Sequence, residues 1–182
     1  MHVPVPGSFL VASPILQDPN FRRSVVLLCE HDDAQGSMGV VVNRPSELTL
    51  DETLLSAGEI APQALWIGGP VQPDAVVVLH RDSGVPGSKA LVDGMALGGD
   101  ELAIVDLLRG PHHTDVRVFS GYAGWGAGQL AAELQERSWV ACPASAHLVF
   151  DVPADALWAT VLRSLGPAFA YLAQLPLDLR VN

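Results

Sequence analysis

The sequence predicts an α+β fold occupying a single domain over residues 1–182. Two observations carry that prediction. Short β-branched runs crowd the first third of the chain, and helical spacing becomes frequent only later. No regular strand–helix rhythm links the two, which argues against a doubly wound parallel sheet. The length, 182 residues, lets such a domain bury about 70% of its unfolded surface without staples. No internal repeat, low-complexity segment or linker divides the chain.

Residues 9–12 form a first apolar strand, closed by Ser13-Pro14. Residues 25–30 and 38–42 are two further strands. A polar turn over 31–36 separates them, so an antiparallel hairpin is expected. The second strand should stop at Asn43-Arg44-Pro45, because proline removes a ladder donor. Thr49 and Glu52 have capping-box spacing, which predicts a short helix through about residue 57. Residues 65–67 and 75–79 read as strands joined by Gly68-Gly69-Pro70, and 81–94 as a loop rich in turn formers. Asp100 caps a helix over 101–108, with Leu102, Val105 and Leu108 at helical spacing and Arg109-Gly110-Pro111 as its stop. A strand over 116–122 runs into a glycine-rich turn and a helix over 129–137. Residues 139–141 and 148–150 read as short strands, 154–165 as a last helix, and the tail as a helical turn or coil.

Ten basic residues stand against 20 acidic ones, a formal charge of −10, and Lys89 is the only lysine. Phosphate-tracking surfaces need clustered cations, so direct nucleic-acid binding is disfavoured. At 49% hydrophobic and 16% charged residues the chain is not intrinsically disordered. Cys29 and Cys142 make neither a disulfide framework nor a CxxC pair and read as buried, reduced thiols. The N-terminus lacks a basic n-region, and the longest apolar runs are five residues, far below the ~20 that span a bilayer. A soluble, cytoplasmic protein without membrane contact is expected.

Three groups of residues could carry chemistry. Asp18, Asn20, Arg22, Arg23 and Ser24 precede the first long strand, with Glu30 and His31 at its far end. Arginine forks suit an anion; equally, 17–20 is a turn and the arginines pair with carboxylates. Residues 121–130, with Tyr122, Trp125 and Gln129, place glycines between a strand and a helix start. They form either a ligand cradle or a tight structural turn, and match neither a dinucleotide fingerprint nor a P-loop. His80 lies beside Arg81 and Asp82, much as His31 lies beside Asp32 and Asp33. No His-Glu-x-x-His pattern occurs, so neither metal nor other cofactor is expected. Gly36-Ser37-Met38-Gly39 lacks the spacing of a nucleophile elbow, and no other catalytic motif is present.

Several of these segments, in order, resemble the AlgH/YqgE family. They are residues 10–25, Glu30-His31, 39–45, Gly68-Gly69-Pro70, Leu79-His80, 121–125, Gly128-Gln129-Leu130 and Ser138-Trp139-Val140. The resemblance spans roughly residues 8–165. It implies a mixed, bifurcated β-sheet that includes a small barrel and is flanked by helices. The family is bacterial, and some members carry a label as transcriptional regulators of alginate synthesis, which points to a genetic role rather than DNA contact. No catalytic residue comes with the resemblance. The chain departs from it at Ala75-Val76-Val77, where the family often has Arg-Gly-Phe, and in the tail from Leu175, which lacks a frequent Gly-His-Ala ending.

The leading expectation is a non-catalytic regulatory or interaction protein with a protein partner. The alternative is a small-anion-binding protein or enzyme that gathers Asn20, Arg22, Arg23, His31, Asn43, Arg44 and His80 around one cleft. A DNA-binding regulator is disfavoured by charge. Asp18, Tyr122, Trp125 and Gln129 complete the candidate ligand or partner site.

Overall fold

Apolar runs too short to span anything become strands when neighbours bury both of their faces, and that is how this chain begins. The computed structural model describes residues 2–50, 60, 63–82 and 84–174. Strands β1 (Ser8–Ala12), β2 (Val25–Asp32) and β3 (Gly36–Val41) form an antiparallel group. They are followed by β4 (Pro45–Thr49), β5 (Ala64–Ile67), β6 (Val71–His80), β7 (Ser88–Ala90) and β8 (Ala96–Gly98). Helix α1 (Glu101–Arg109) and a 3-10 turn lead into β9 (Val116–Trp125). The chain continues through α2 (Gln129–Gln135), β10 (Trp139–Pro143), α3 (Ala146–Phe150), α4 (Ala154–Ser164) and α5 (Pro167–Leu172).

The sheet runs β10-β1-β2-β3-β9-β6-β8-β7, all antiparallel neighbours, and curls into a half-barrel. Strand β9 makes it bifurcate. Along one edge, Val118 to Ser120 pair in parallel with β5, whereas Ala123 to Trp125 pair with β3. Its other edge carries β6, and β4 extends the sheet from β5.

A fork of this kind needs backbone to approach backbone. Gly121 sits at φ +69°, and a Cβ there would lie 2.5 Å from the Gly69 carbonyl oxygen. A Cβ on Gly68 would lie 2.2 Å from the Gly121 carbonyl oxygen. The Gly68 amide donates to Ser120 O at 2.9 Å, and the Val41 amide donates to Gly68 O at 2.8 Å. One peptide thus stitches the end of β3 to the middle of β9. The turn at Gly121 also breaks the period-2 alternation of β9. Phe119 and Tyr122, three residues apart, both join the same core cluster.

Three apolar clusters hold the layers. Helix α4 (Leu157, Trp158, Val161, Leu162) and Val149 of α3 cover Phe9, Val11, Leu27, Val40 and Val42. On the opposite face Leu10, Ala12, Val26, Leu28 and Val41 meet Trp125, Trp139 and Leu130 of α2. Strands β1–β3 are therefore buried on both sides, which is why their sequences read as continuous apolar runs. Helix α1 seals the third cluster with Ile104, Val105 and Leu108 over Val116 and Val118.

The predicted hairpin, the strands over 9–12, 65–67 and 139–141, and helices α1, α2 and α4 are all present. Asp100 caps α1 as expected, accepting from the Leu102 and Ala103 amides. Leu102 itself is 70% exposed, and Ile104 takes its place inside. Pro45 opens β4 instead of ending the sheet, since proline is tolerated as a first strand residue. Thr49 closes that strand, and the helix expected beyond it lies outside the described residues. The 81–94 loop contains β7, and β8 follows it. The strand expected over 148–150 is helix α3. Short apolar runs do not distinguish the two by period, and α3 is started by a distant group: the Ala146 amide donates to Asp93 Oδ2 at 2.8 Å.

The fork is testable by size alone. Gly121→Ala should cost roughly 2–4 kcal/mol, combining overpacking with left-handed strain. Gly98→Ala, at a similar φ of +71° but with nothing within 4 Å of its Cβ, should cost only about 1–2 kcal/mol. Urea midpoints of the two variants measure the difference.

Candidate functional site

The structure distributes the sequence-predicted residues over three places. The first is the loop before β2. Asp18 Oδ1 accepts from the Asn20 amide at 2.7 Å, and its carbonyl accepts from the amides of Phe21 and Arg22. Arg44 then clamps this loop from outside, donating Nη1 to Asn20 O and Nη2 to Arg22 O (3.1 Å for the second). Asn43 completes the fastening. Its Oδ1 accepts from the Val25 amide at 2.9 Å, and its Nδ2 donates to Arg23 O at 3.0 Å. Arg23 adopts φ +54° and lies over the Trp158 ring, 4.9 Å from its centroid. Burial lowers the Arg44 pKa, Arg22 lowers it further, and Asp18 partly offsets both. Of the cations that suggested an anion site, Arg44 holds backbone carbonyls and Arg23 lies against an aromatic ring.

The second place is an open groove of about 890 Å³ between the β2–β3 hairpin and strands β6, β7 and β9, at one end of the half-barrel's sheet. The register of β6 on β9 slips between Val71 and Val76, which peels β6 away. The β2–β3 tip forms the opposing wall. Met38, Val71, Val77 and Tyr122 give the groove apolar surface, and Glu30, His31, Asp32, Ser37 and Lys89 give it polar surface. Met38, Val77 and Tyr122 also pack against the main core, so the groove continues the face that α3 and α4 cover elsewhere.

Its polar groups are largely engaged. His31 Nδ1 and Ser37 Oγ lie 2.8 Å apart across the hairpin. Lys89 Nζ is 3.4 Å from Glu30 Oε1. Asp32 Oδ1 accepts the Ala34 and Gln35 amides at the turn. Ser37, His31 and Asp33 stand in the order nucleophile, base, carboxylate. Yet His31 Nε2 is 3.7 Å from Asp33, beyond hydrogen-bond reach, and that carboxylate is 79% exposed. The third member therefore does not orient the ring, as a working triad requires.

Trp125 and Gln129 border this region through one residue that sequence reasoning missed. Glu133 accepts the indole N–H of Trp125 at 2.9 Å and of Trp139 at 2.7 Å on Oε2, and Gln129 Nε2 at 2.8 Å on Oε1. Gln129 Oε1 in turn accepts the Gly126 amide. The Gly128 amide donates to Asp33 O, tying the glycine-rich turn to the hairpin tip. The only local signal for Glu133 was its i+4 spacing from Gln129 on a short helix.

His80 occupies the third place and does not share a cleft with Arg22, Arg23 or Asn43, contrary to the one-cleft expectation. It is fully buried at the β6–β8 junction, where strand alternation turns its ring inward. Its Nε2 donates to Gly98 O at 2.9 Å, while the buried Nδ1 has no partner among the described residues. Beside it lies a cavity of about 220 Å³ lined by Arg81, Asp82, His112 and Asp115. Arg81 bridges Asp115 (3.2 Å) and Asp151 (2.6 Å) and donates to Ala146 O. The Arg81 guanidinium, then His147, holds the Asp151 carboxyl below its ordinary value of 3.8. Arg117, also missed, is buried over the Trp66 ring at 3.8 Å and donates to Val42 O and Phe150 O. Burial, then Arg81, pushes its pKa down to about 10.

Among the described residues no three His, Cys, Asp or Glu side chains converge for a metal. Burial pushes the Cys29 thiol up to about 12 and that of Cys142 up to about 11, so both stay protonated at neutral pH.

Comparison with known proteins decides the family. The AlgH-like family model matches residues 9–170. The chain belongs to the AlgH-like family. It is 41% identical to a UPF0301 protein of Chlorobaculum tepidum, over 94% of this chain and 92% of that protein. A UPF0301 protein of Anaeromyxobacter dehalogenans is 42% identical over 88% and 87%. The crystal structure of DIP2367 from Corynebacterium diphtheriae superposes with a TM-score of 0.78 at 28% identity, covering 96% and 94% of the two chains. The solution structure of AlgH from Pseudomonas aeruginosa gives 0.72 at 33% identity, covering 97% and 98%. Three of the segments that carry the AlgH-like resemblance, 39–45, 68–70 and 121–125, meet at the fork. Gly68 bonds to Val41 and Ser120, and the Ile67 amide donates to Arg44 O.

Two measurements check this fastening. Asn43→Ala leaves the Val25 amide without its acceptor and should cost about 1–3 kcal/mol. Arg22→Ala, at an exposed side chain, should stay within about 0.5 kcal/mol by urea titration. The depressed Asp151 pKa contributes stability that is present above the ordinary carboxylate range and lost as pH falls through it. Wild type should therefore exceed Asp151→Asn in Tm at neutral pH, and the gap should close below about pH 4.

Proposed function

We propose that this AlgH-like protein is a non-catalytic interaction protein with a regulatory role, which docks a protein partner in the groove at one end of the half-barrel's sheet. The carrying observation is the groove itself. It is wide, open and partly apolar, and it extends the core face where helices leave it uncovered. Its polar side chains bond chiefly to one another, which suits a recognition surface better than a reaction centre. The protonated, buried cysteines and the unaligned Ser37–His31–Asp33 set point the same way.

The small-anion reading loses Arg44 as a free fork, since both of its terminal nitrogens go to carbonyls of the neighbouring loop. A formal charge of −10 counts against direct DNA contact. Among the described residues no helix is long and apolar enough to cross a membrane, and a cytoplasmic location fits this reading.

A photo-cross-linking phenylalanine analogue placed at Tyr122 should give one discrete protein adduct in the native host. The same analogue at Leu102, on the far surface of α1, should give none. A metabolite or nucleotide that raises Tm as a ligand at 100 times its Kd would, adding about 2.7 kcal/mol, would replace the interaction reading with a small-ligand one.

A further inference from the structure

We infer that the groove takes an extended, basic segment of the partner, with alternating apolar and cationic side chains. This rests on the docking reading above and adds the chemistry of the occupant. Charge gives the first argument. Of the Asp, Glu, Lys and Arg side chains lining the groove, Glu30 and Asp32 are acidic and Lys89 alone is basic, within a chain of charge −10. The Lys89–Glu30 pair spans from β7 to β2 with side chains 56% and 58% exposed. Pairs this open are weak and exchangeable. An incoming arginine or lysine can take Glu30 from Lys89 without opening anything buried. A second copy of this chain, or an acidic peptide, would bring like charge to the same rim.

Backbone geometry gives the second argument. Strand β8 pairs with β6 only at Leu79 and His80. Among the described residues, the outer edge of β6 from Val71 to Val78 therefore carries no strand. Pro73 and Asp74 guard the first half of that edge against pairing. Ala75 to Val78 remain for an added chain, and Ala75 and Val77 line the groove. A segment paired there projects every second side chain over the groove. Apolar ones meet Met38, Val77 and Tyr122, and cationic ones reach the acidic rim.

The test uses the full chain and a fluorescein-labelled peptide of alternating arginine and valine, with an aspartate–valine peptide as comparison. Saturable binding of the basic peptide is expected, with amide shifts mapping to His31, Ser37, Val77 and Lys89. The Glu30→Gln, Asp32→Asn double variant should weaken it roughly tenfold or more. The charge-matched Glu101→Gln, Asp106→Asn double variant on α1 should leave it unchanged. No binding, equal loss in both variants, preference for the acidic peptide, or shifts confined to other faces would overturn the proposal. A Tyr122 adduct together with no basic-peptide binding would defeat this inference while leaving the docking reading standing; failure of both would remove both.

Discussion

Backbone crosses backbone at Gly68-Gly69 and Gly121, at separations that leave no room for a Cβ on either side. Strand β9 serves three partners because of that crossing. Below it β9 accepts β5 in parallel, above it β3 in antiparallel, and β6 follows the opposite edge from Val116 to Ser120 and again at Tyr122. A side chain at the crossing would push the two segments apart. The amide of Gly68 would then lose Ser120, its carbonyl would lose Val41, and the sheet would have no reason to split. The same turn exchanges the faces of β9, which carries Tyr122 to the core side next to Phe119. The groove follows from this. Its Tyr122 wall exists because alternation is broken one residue earlier, and its opening exists because β6 slips register beside the same turn.

Arginine takes an unusual share in holding this arrangement. Nine of the ten basic residues are arginines. Arg44 binds two carbonyls of the 18–23 loop, Arg117 binds the ends of β3 and α3, and Arg81 ties α3 to the 3-10 turn before β9. A planar fork with several donors can satisfy two carbonyls of different segments at once, which the compact ammonium of lysine does poorly. Arg117 is the strongest case: buried, stacked on Trp66, and lowered to about 10 in pKa, it gives its hydrogen bonds to the carbonyls of Val42 and Phe150.

Much of the strand framework was legible because β1–β3 are buried on both faces, so their apolar runs needed no subtle pattern. Helix α1 was legible because its cap is local: Asp100 reaches amides two and three residues on. Helix α3 was not, because the group that satisfies its first amide is Asp93, 53 residues away. The site divides in the same way. Tyr122 and Trp125 were marked by their glycine neighbours, and His31 by its place at a hairpin tip. Glu133 carried only the weak signal of its i+4 spacing from Gln129, and Arg117 none, because its partners are brought together only in the folded chain. Arg44 behaves differently from its sequence reading for a related reason. Sequence shows where a cation is but not that loop carbonyls will occupy it.

That last point fixes the electrostatics of the surface. The sequence suggested a cationic spot on an acidic globule, open to an anion. Folding turns Arg44 onto the carbonyls of Asn20 and Arg22, and lays Arg23 over Trp158. Glu30 and Asp32 line the groove from the end of β2, where the hairpin tip is held beside the end of β9. Alternation points Met38 and Val40 into the core beside them. Among the described residues the single lysine is the only Lys or Arg lining that groove, and it is held through an exposed ion pair. Charge that belongs to the fold's own fastening is unavailable to a ligand. What the groove presents is therefore an apolar floor with an acidic rim, the complement of an extended basic chain.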